Sequence, residues 1–413
     1  MSTVVEPGRR APWQVPVGVL AAALLFNLGQ GVLRPTLPLY LRQVFAANYQ
    51  MVTMIPLVFG MGKWVASLPT GYLLDCLKHR RLMVGGLLVM AVCDVASMMT
   101  STYGIFLGVR ALAGVGWAMF GTVATTTMVN QPASQRRGRA VSLLLMSETL
   151  GLLLGSTVGG WVYQGIGGRG PFVGEAACML VAAVAVGQQA APSTKPPSAA
   201  PVVSHGRRLL GVVLRTPGVW LMSLTNAALI AIQTGLLVFL YPLYMVEQRG
   251  VSPETVGYLV SLSVLGRLLA LWLGGSVSDR GGRMRVLIPG LLVYGVLLGS
   301  LPLVTHPLWL SLWGLAIGAG AGFVAGLPTA LIGDRVAPPL QGVAIGWLRT
   351  MTDSGHILGP LVMGALADAV HLSAPFLLAG ALVSVLAWRC YWQASPEYPH
   401  GPPMDAPQPT PHG

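Results

Sequence analysis

GYLLDCLKHRR, residues 71–81, returns 204 positions later as GSVSDRGGRMR, residues 275–285. Each copy ends an apolar run, holds one acid (Asp75 or Asp279) four residues after a glycine, and passes into basic residues. Outward from the two copies, the same offset keeps landing on matched residues. Pro38, Leu39 and Tyr40 recur as Pro242, Leu243 and Tyr244, and Gly62 recurs as Gly266. Gly114 and Gly116 recur as Gly318 and Gly320, Gly151, Gly155 and Gly160 as Gly355, Gly359 and Gly364, and Pro171-Phe172 as Pro375-Phe376. No insertion breaks the register. Two equal units are built to one plan, and in a membrane protein that plan points to transport.

Of the 413 residues, 54% are hydrophobic and 9% charged. A soluble globular domain carries roughly 25% charged residues, so most of this surface faces lipid. Apolar stretches recur at 16–38, 49–70, 82–101, 103–129, 139–163, 171–190, 217–246, 254–277, 284–304, 307–332, 341–367 and 373–393. Each approaches or exceeds the roughly 20 residues that cross hydrocarbon as a helix. The expected fold is an all-α membrane protein with twelve transmembrane helices in two pseudo-symmetric six-helix bundles, residues 16–190 and 217–393. A cytosolic N-terminus (1–15), a cytosolic linker (191–216) and a disordered cytosolic tail (394–413) complete the expected organisation. TKPPSAAPVVSHGRR (194–208) is too polar and proline-rich to bury itself.

A net charge of +12 would suggest nucleic acid in a soluble protein, but here position decides. Lys78, Arg80, Arg81, Arg136, Arg137, Arg139, Arg280, Arg283, Arg285, Arg335 and Arg389 fall on one side of the twelve-helix plan, with the basic residues of the N-terminus and linker. Only Arg42, Arg169 and Arg249 lie opposite. The positive-inside bias places both termini in the cytoplasm of a multi-pass protein of the cytoplasmic membrane. No nucleic-acid partner is expected. Cys76, Cys93, Cys178 and Cys390 show no disulfide or metal-ligand spacing. Without a G-x-x-x-x-G-K-[ST] loop, an H-E-x-x-H or a G-x-S-x-G motif, neither an ATP-driven pump nor an enzyme is indicated, and no cofactor or metal is expected.

Gly71, Asp75, Arg80 and Arg81, with Gly275, Asp279, Arg280 and Arg283 in the second copy, resemble the loop motif G-x-x-x-D-R-x-G-R-R of the major facilitator superfamily. The second copy matches better, because the first has Cys76 and Lys78 at pattern positions. The resemblance implies the major facilitator fold and a cytosolic charge clamp that opens as the halves rock. Leu107-Gly-Val-Arg110-Ala-Leu-Ala-Gly114-Val-Gly116 is similar to the family's fourth-helix motif, whose arginine is associated with proton coupling. Ala113 stands where the family usually has glutamine. Gly151-x3-Gly155-Ser156-x2-Gly159-Gly160 is similar to the fifth-helix pattern of drug/proton antiporters, with Ser156 in place of its proline.

A charge at the bilayer centre costs on the order of 2.5–3.5 kcal/mol on insertion scales, so buried charges mark function. Eight stand out: Arg34, Lys63, Asp94, Arg110, Glu148, Arg267, Arg349 and Asp353. Lys63 and Arg267 are repeat mates, expected to converge on a midplane cavity and bind an anionic group. Arg349, Asp353 and His356 form one helical stripe suited to a proton relay. Glu148 is the other proton-carrying candidate, with Arg110 as its expected partner, while Asp94 also lies where it can pair with Arg110 and is expected to be structural. Arg34, Asn27, Gln30, Asn226, Gln233 and Tyr40 supply further polar groups to the cavity or gate.

The expected function is alternating-access transport of a small molecule by a monomer, as proton-coupled export of an amphiphilic compound. Proton-coupled symport or exchange of organic anions is one alternative, and a non-transporting receptor or scaffold is another.

Overall fold

The computed structural model describes residues 17–129, 134–188, 211, 214–216, 218–336 and 341–394. The N-terminus, the tail and most of the linker fall outside these residues. The described chain is helical throughout. α1 (Val17–Leu33) and α2 (Leu37–Phe45) are followed by α3 (Tyr49–Cys76), α4 (His79–Met99), α5 (Tyr103–Val129), α6 (Ser134–Ile166) and α7 (Gly170–Gly187). The second half begins with α8 (Val219–Ala231), which runs through a π-helical segment (Ile232–Leu240) into α9 (Tyr241–Glu247). Then come α10 (Pro253–Gly281), α11 (Arg283–Ser300), α12 (Pro307–Ala325), α13 (Leu327–Arg335), α14 (Gln341–Ala369) and α15 (Ala374–Ala394).

Among the described residues, nine of these rods are long and apolar enough to cross a bilayer, and the pair α1 and α2, bent by 42°, makes a tenth. α3 and α14, of 28 and 29 residues, complete the expected twelve; at about 1.5 Å per residue each exceeds the hydrocarbon thickness. The first span therefore runs past the expected exit at residue 38 to Phe45. The cause is local: Arg34, Pro35 and Thr36 form a turn in which the Thr36 hydroxyl donates to the carbonyls of Val32 and Leu33, and the helix restarts with a proline in its first turn.

The two halves repeat in detail. Asn48 caps α3 by accepting from the Met51 amide, and its repeat mate Ser252 caps α10 by accepting from Thr255. Such caps satisfy amides that have no partner inside the helix. Gly62 lies against the Ala111 carbonyl and Gly266 against that of Leu315, the mate of Ala111. Gly114 meets the Phe59 carbonyl and Gly318 that of Ser263, again mates. Ring centroids of Tyr40 and Phe172 are 4.9 Å apart, as are those of Tyr244 and Phe376. In the first half α1 packs on α6 and α7, α3 on α5, and α4 on α5 and α7. The halves meet where α6 packs on α10 and α3 on α14.

Candidate functional site

Between the halves lies a cavity of about 250 Å³. The first half contributes Arg34, Pro35, Leu145, Thr149 and Leu152, and the second contributes Gln233, Leu237, Tyr241, Val260, Ser263, Arg267 and Ile317, among others. The lining is mostly aliphatic, with two arginines and no acid. Arg34 reaches it because the α1–α2 turn interrupts the first span, and Arg267 because it sits mid-way along α10. The π-helical segment carries Gln233, Leu237 and Val238 to the wall. Tyr241, 3% exposed, also lines the cavity, and its hydroxyl has no hydrogen-bond partner among the described residues.

Of the candidate cavity residues, Arg34, Arg267 and Gln233 line this cavity, while the others lie elsewhere. Lys63 places its ammonium 3.5 Å from the Trp117 ring centroid, outside this lining. Arg267 therefore shares the cavity with Arg34 rather than with its repeat mate, since α3 turns Lys63 onto α5 of its own half. Asn27 donates to the Ala23 carbonyl one turn back, at 3.0 Å. Asn226 donates to Thr352 Oγ1 at 2.7 Å, joining α8 to α14. His356 Nδ1 lies 2.8 Å from Thr234 Oγ1, within electrostatic reach of Lys63, Asp353 and Arg34. Asp353 is exposed, and the Arg349 side chain lies outside the described residues, as do those of Asp75 and Asp279 and the surroundings of Gly71.

The expected Glu148–Arg110 pair is corrected. Arg110 on α5 turns toward α4, where its Nη2 lies 2.6 Å from Asp94 Oδ1 and 2.9 Å from Ser97 Oγ. Both members of this ion pair are buried, at 3% and 0% exposure. Glu148 is half-buried on α6 and makes no ion pair among the described residues. The same core holds a ninth membrane-depth charge that the sequence reading passes over. Glu175 on α7 is fully buried, accepts from Gln30 Nε2, and belongs to the same buried charge cluster as Asp94 and Arg110. Asp94 Oδ2 and Glu175 Oε2 have no donor in the described residues. A hydrogen bond between two carboxyl groups forms only when one carries a proton. Phe106 and Phe172 cover the Arg110 guanidinium at 5.8 and 5.6 Å.

At the end of the bundle poor in basic residues, polar contacts tie the halves together. Arg42 Nε lies 2.7 Å from Glu247 Oε1, the Tyr49 hydroxyl donates to Glu247 Oε2 at 2.6 Å, and the amides of Tyr49 and Gln50 donate to Asp368 at 2.9 and 2.8 Å. At the basic end Arg80, Arg81 and Arg280 are exposed, and Gly275 has open space around it. Arg283 pairs with Asp334 at 2.8 Å and donates to the Ala330 carbonyl, both within its own half.

The model of the Major Facilitator Superfamily matches residues 19–243 and 223–411. The multidrug resistance protein MdtG of Yersinia enterocolitica is 24% identical over 372 residues, 87% of this chain and 88% of that protein. The multi-drug resistance efflux pump PmrA of Streptococcus pneumoniae is 32% identical over 146 residues, 34% of this chain and 36% of PmrA. The solved structure of the nucleoside transporter NupG superposes with a TM-score of 0.76 at 14% identity, covering 92% of this chain and 99% of NupG. The chain belongs to the Major Facilitator Superfamily: it is a multi-pass membrane transporter and not an enzyme.

Proposed function

We propose that this transporter exports an amphiphilic small molecule across the cytoplasmic membrane by alternating access, driven by protons moving the opposite way. The observation that carries this reading is the cavity walled by both halves and lined mainly by aliphatic side chains. Rocking the halves would expose such a cavity to one compartment and then the other. The names of MdtG and PmrA support export of drug-like molecules. With the basic end and both termini in the cytoplasm, the Arg42–Glu247 and Asp368 contacts close the outer face, which is the state that loads from inside. One chain supplies both cavity walls, so a monomer suffices.

Coupling needs a group that holds a proton in one state and releases it in the other. The Asp94–Glu175 pair has the chemistry: two buried carboxyls beside one arginine can hold one proton between them while Arg110 balances the remaining charge. Gln30 links this pair to the last turn of α1, next to the turn that carries Arg34 into the cavity. Glu148, half-buried without an ion partner, is a second carrier, and Asp353 with His356 a third.

The test is flux of a lipophilic dye in proteoliposomes under an imposed pH gradient. Wild type should move dye faster with the gradient than without it, and Glu175→Gln should lose the acceleration while still binding dye. Absence of gradient-driven flux in the wild type would overturn proton-coupled export. Running Glu148→Gln and Asp353→Asn beside it assigns the carrier by which variant loses the acceleration. Organic-anion exchange is the second reading, favoured by the two arginines in the cavity.

A further inference from the structure

We propose that the transported molecule is an amphiphilic anion, its acidic head held between Arg34 and Arg267 and its apolar body against the aliphatic wall. The proposal rests on the transport reading above and names the substrate class of the same cavity. Arg34 and Arg267 come from opposite halves and line one cavity, where two like charges disfavour each other. Neither has an acidic partner among the described residues, although Arg110 and Arg283 in the same protein are each paired with an aspartate. Two uncompensated guanidinium groups at membrane depth are unfavourable until an anion sits between them.

A separate observation points the same way. The buried Tyr241 hydroxyl lines this cavity with no partner, and buried polar groups in native proteins are nearly always satisfied. A hydroxyl in the same lining as two arginines can donate to a carboxylate, sulfonate or phosphate oxygen. Gln233 adds amide donors on the same wall. In the same lining, Leu145, Leu152, Leu237 and Ile317 offer no polar atom to a ligand's tail. A cationic drug has no counter-charge in this lining, so the cavity selects by sign as well as by hydrophobicity.

The experiment measures binding at neutral pH without a gradient, using the full chain in phosphatidylcholine nanodiscs and three probes with one alkyl chain: decanoate, decanol and decyltrimethylammonium. Decanoate should bind about tenfold more tightly than decanol, with the cation weakest, since charge-assisted contacts exceed neutral ones. The double variant Arg34→Gln, Arg267→Gln should bind decanoate and decanol alike, and the lysine double variant should keep the preference. Ligand-free Arg34→Gln and Arg267→Gln should melt at or above the wild-type temperature, because each removes repulsion; a merely structural arginine would lower it. Equal binding of decanoate and decanol by the wild type, or a preference retained in the glutamine double variant, would overturn the proposal. Phosphatidylglycerol in the nanodisc distinguishes the source of the anion: unchanged decanoate affinity supports a free amphiphile, and competition supports a lipid headgroup in the same site. Flux plays no part in these readouts, so failure of the anion site and failure of export are separable.

Discussion

Arg110 shows what a buried charge does in this protein: it holds Asp94 at 2.6 Å and Ser97 at 2.9 Å, with Glu175 completing the cluster. Removing one partner of a buried pair typically costs about 3–5 kcal/mol, because the other charge is left uncompensated. Arg110→Gln should therefore lower the melting temperature sharply at neutral pH. The loss should shrink at acid pH, where both carboxyls hold protons and nothing is left unpaired, and thermal unfolding across a pH series checks this. The sequence made Asp94 and Arg110 visible as a possible pair because they flank one short turn at similar distance. Glu175 was hidden inside GPFVGEAACMLVAAVAVG, a run whose length and hydrophobicity read as one more membrane-spanning helix. Arg34 and Arg267 were each visible, but their meeting was not. The offset of 204 pairs Arg267 with Lys63, whereas the cavity joins positions that are not repeat mates, and only the packing of the two halves brings those together.

Helices in lipid gain little from hydrophobic exclusion and associate instead where small residues let backbones touch. α3 and α5 use Gly62 and Gly114 for this, and α10 and α12 use Gly266 and Gly318, each glycine lying against a carbonyl of the opposite helix. A side chain at any of them would meet backbone that cannot step aside. Gly62→Leu or Gly266→Leu should cost about 1–3 kcal/mol or more through overpacking. The expected readout is a lower melting temperature and a poorer yield of monodisperse protein, with Gly104→Ala, which has open space around it, as the unaffected control. These contacts explain why the repeat was legible in glycines: close approach tolerates no other side chain, so the spacing of glycines records which helices touch. The broken spans were less legible. The turn at residues 34–36 and the π-helical segment at Ile232–Leu240 depend on hydrogen bonds and neighbours that apolar periodicity does not register.

For the molecule as a whole, the contacts of Arg42, Tyr49 and Asp368 across the low-charge end set which face is shut. Arg42 and Glu247 remain 35% and 24% exposed, so each contact alone contributes little, and their joint effect is about 1–2 kcal/mol, a several-fold bias between states. Glu247→Gln removes the ion pair and should populate the form open at that end. Spin labels at Val44→Cys and His371→Cys, in a background lacking the 4 native cysteines, should then report a longer and broader distance than in the parent. An unchanged distribution would show that packing of α3 on α14 and α6 on α10 holds that end by itself. The same span that ends in Glu247 begins at Val219 and includes the nine-residue π-helical stretch, which carries Gln233, Leu237 and Val238 to the cavity wall. Its carbonyls accept from amides five residues on instead of four, a rare winding that an ordinary helix can adopt by letting one residue slip. Such a slip would swivel Gln233 and Leu237 away from bound cargo and turn Glu247 about the rod's axis in the same stroke. One strip of backbone would thereby tie the cavity wall at its middle to the Arg42–Glu247 latch at its tip.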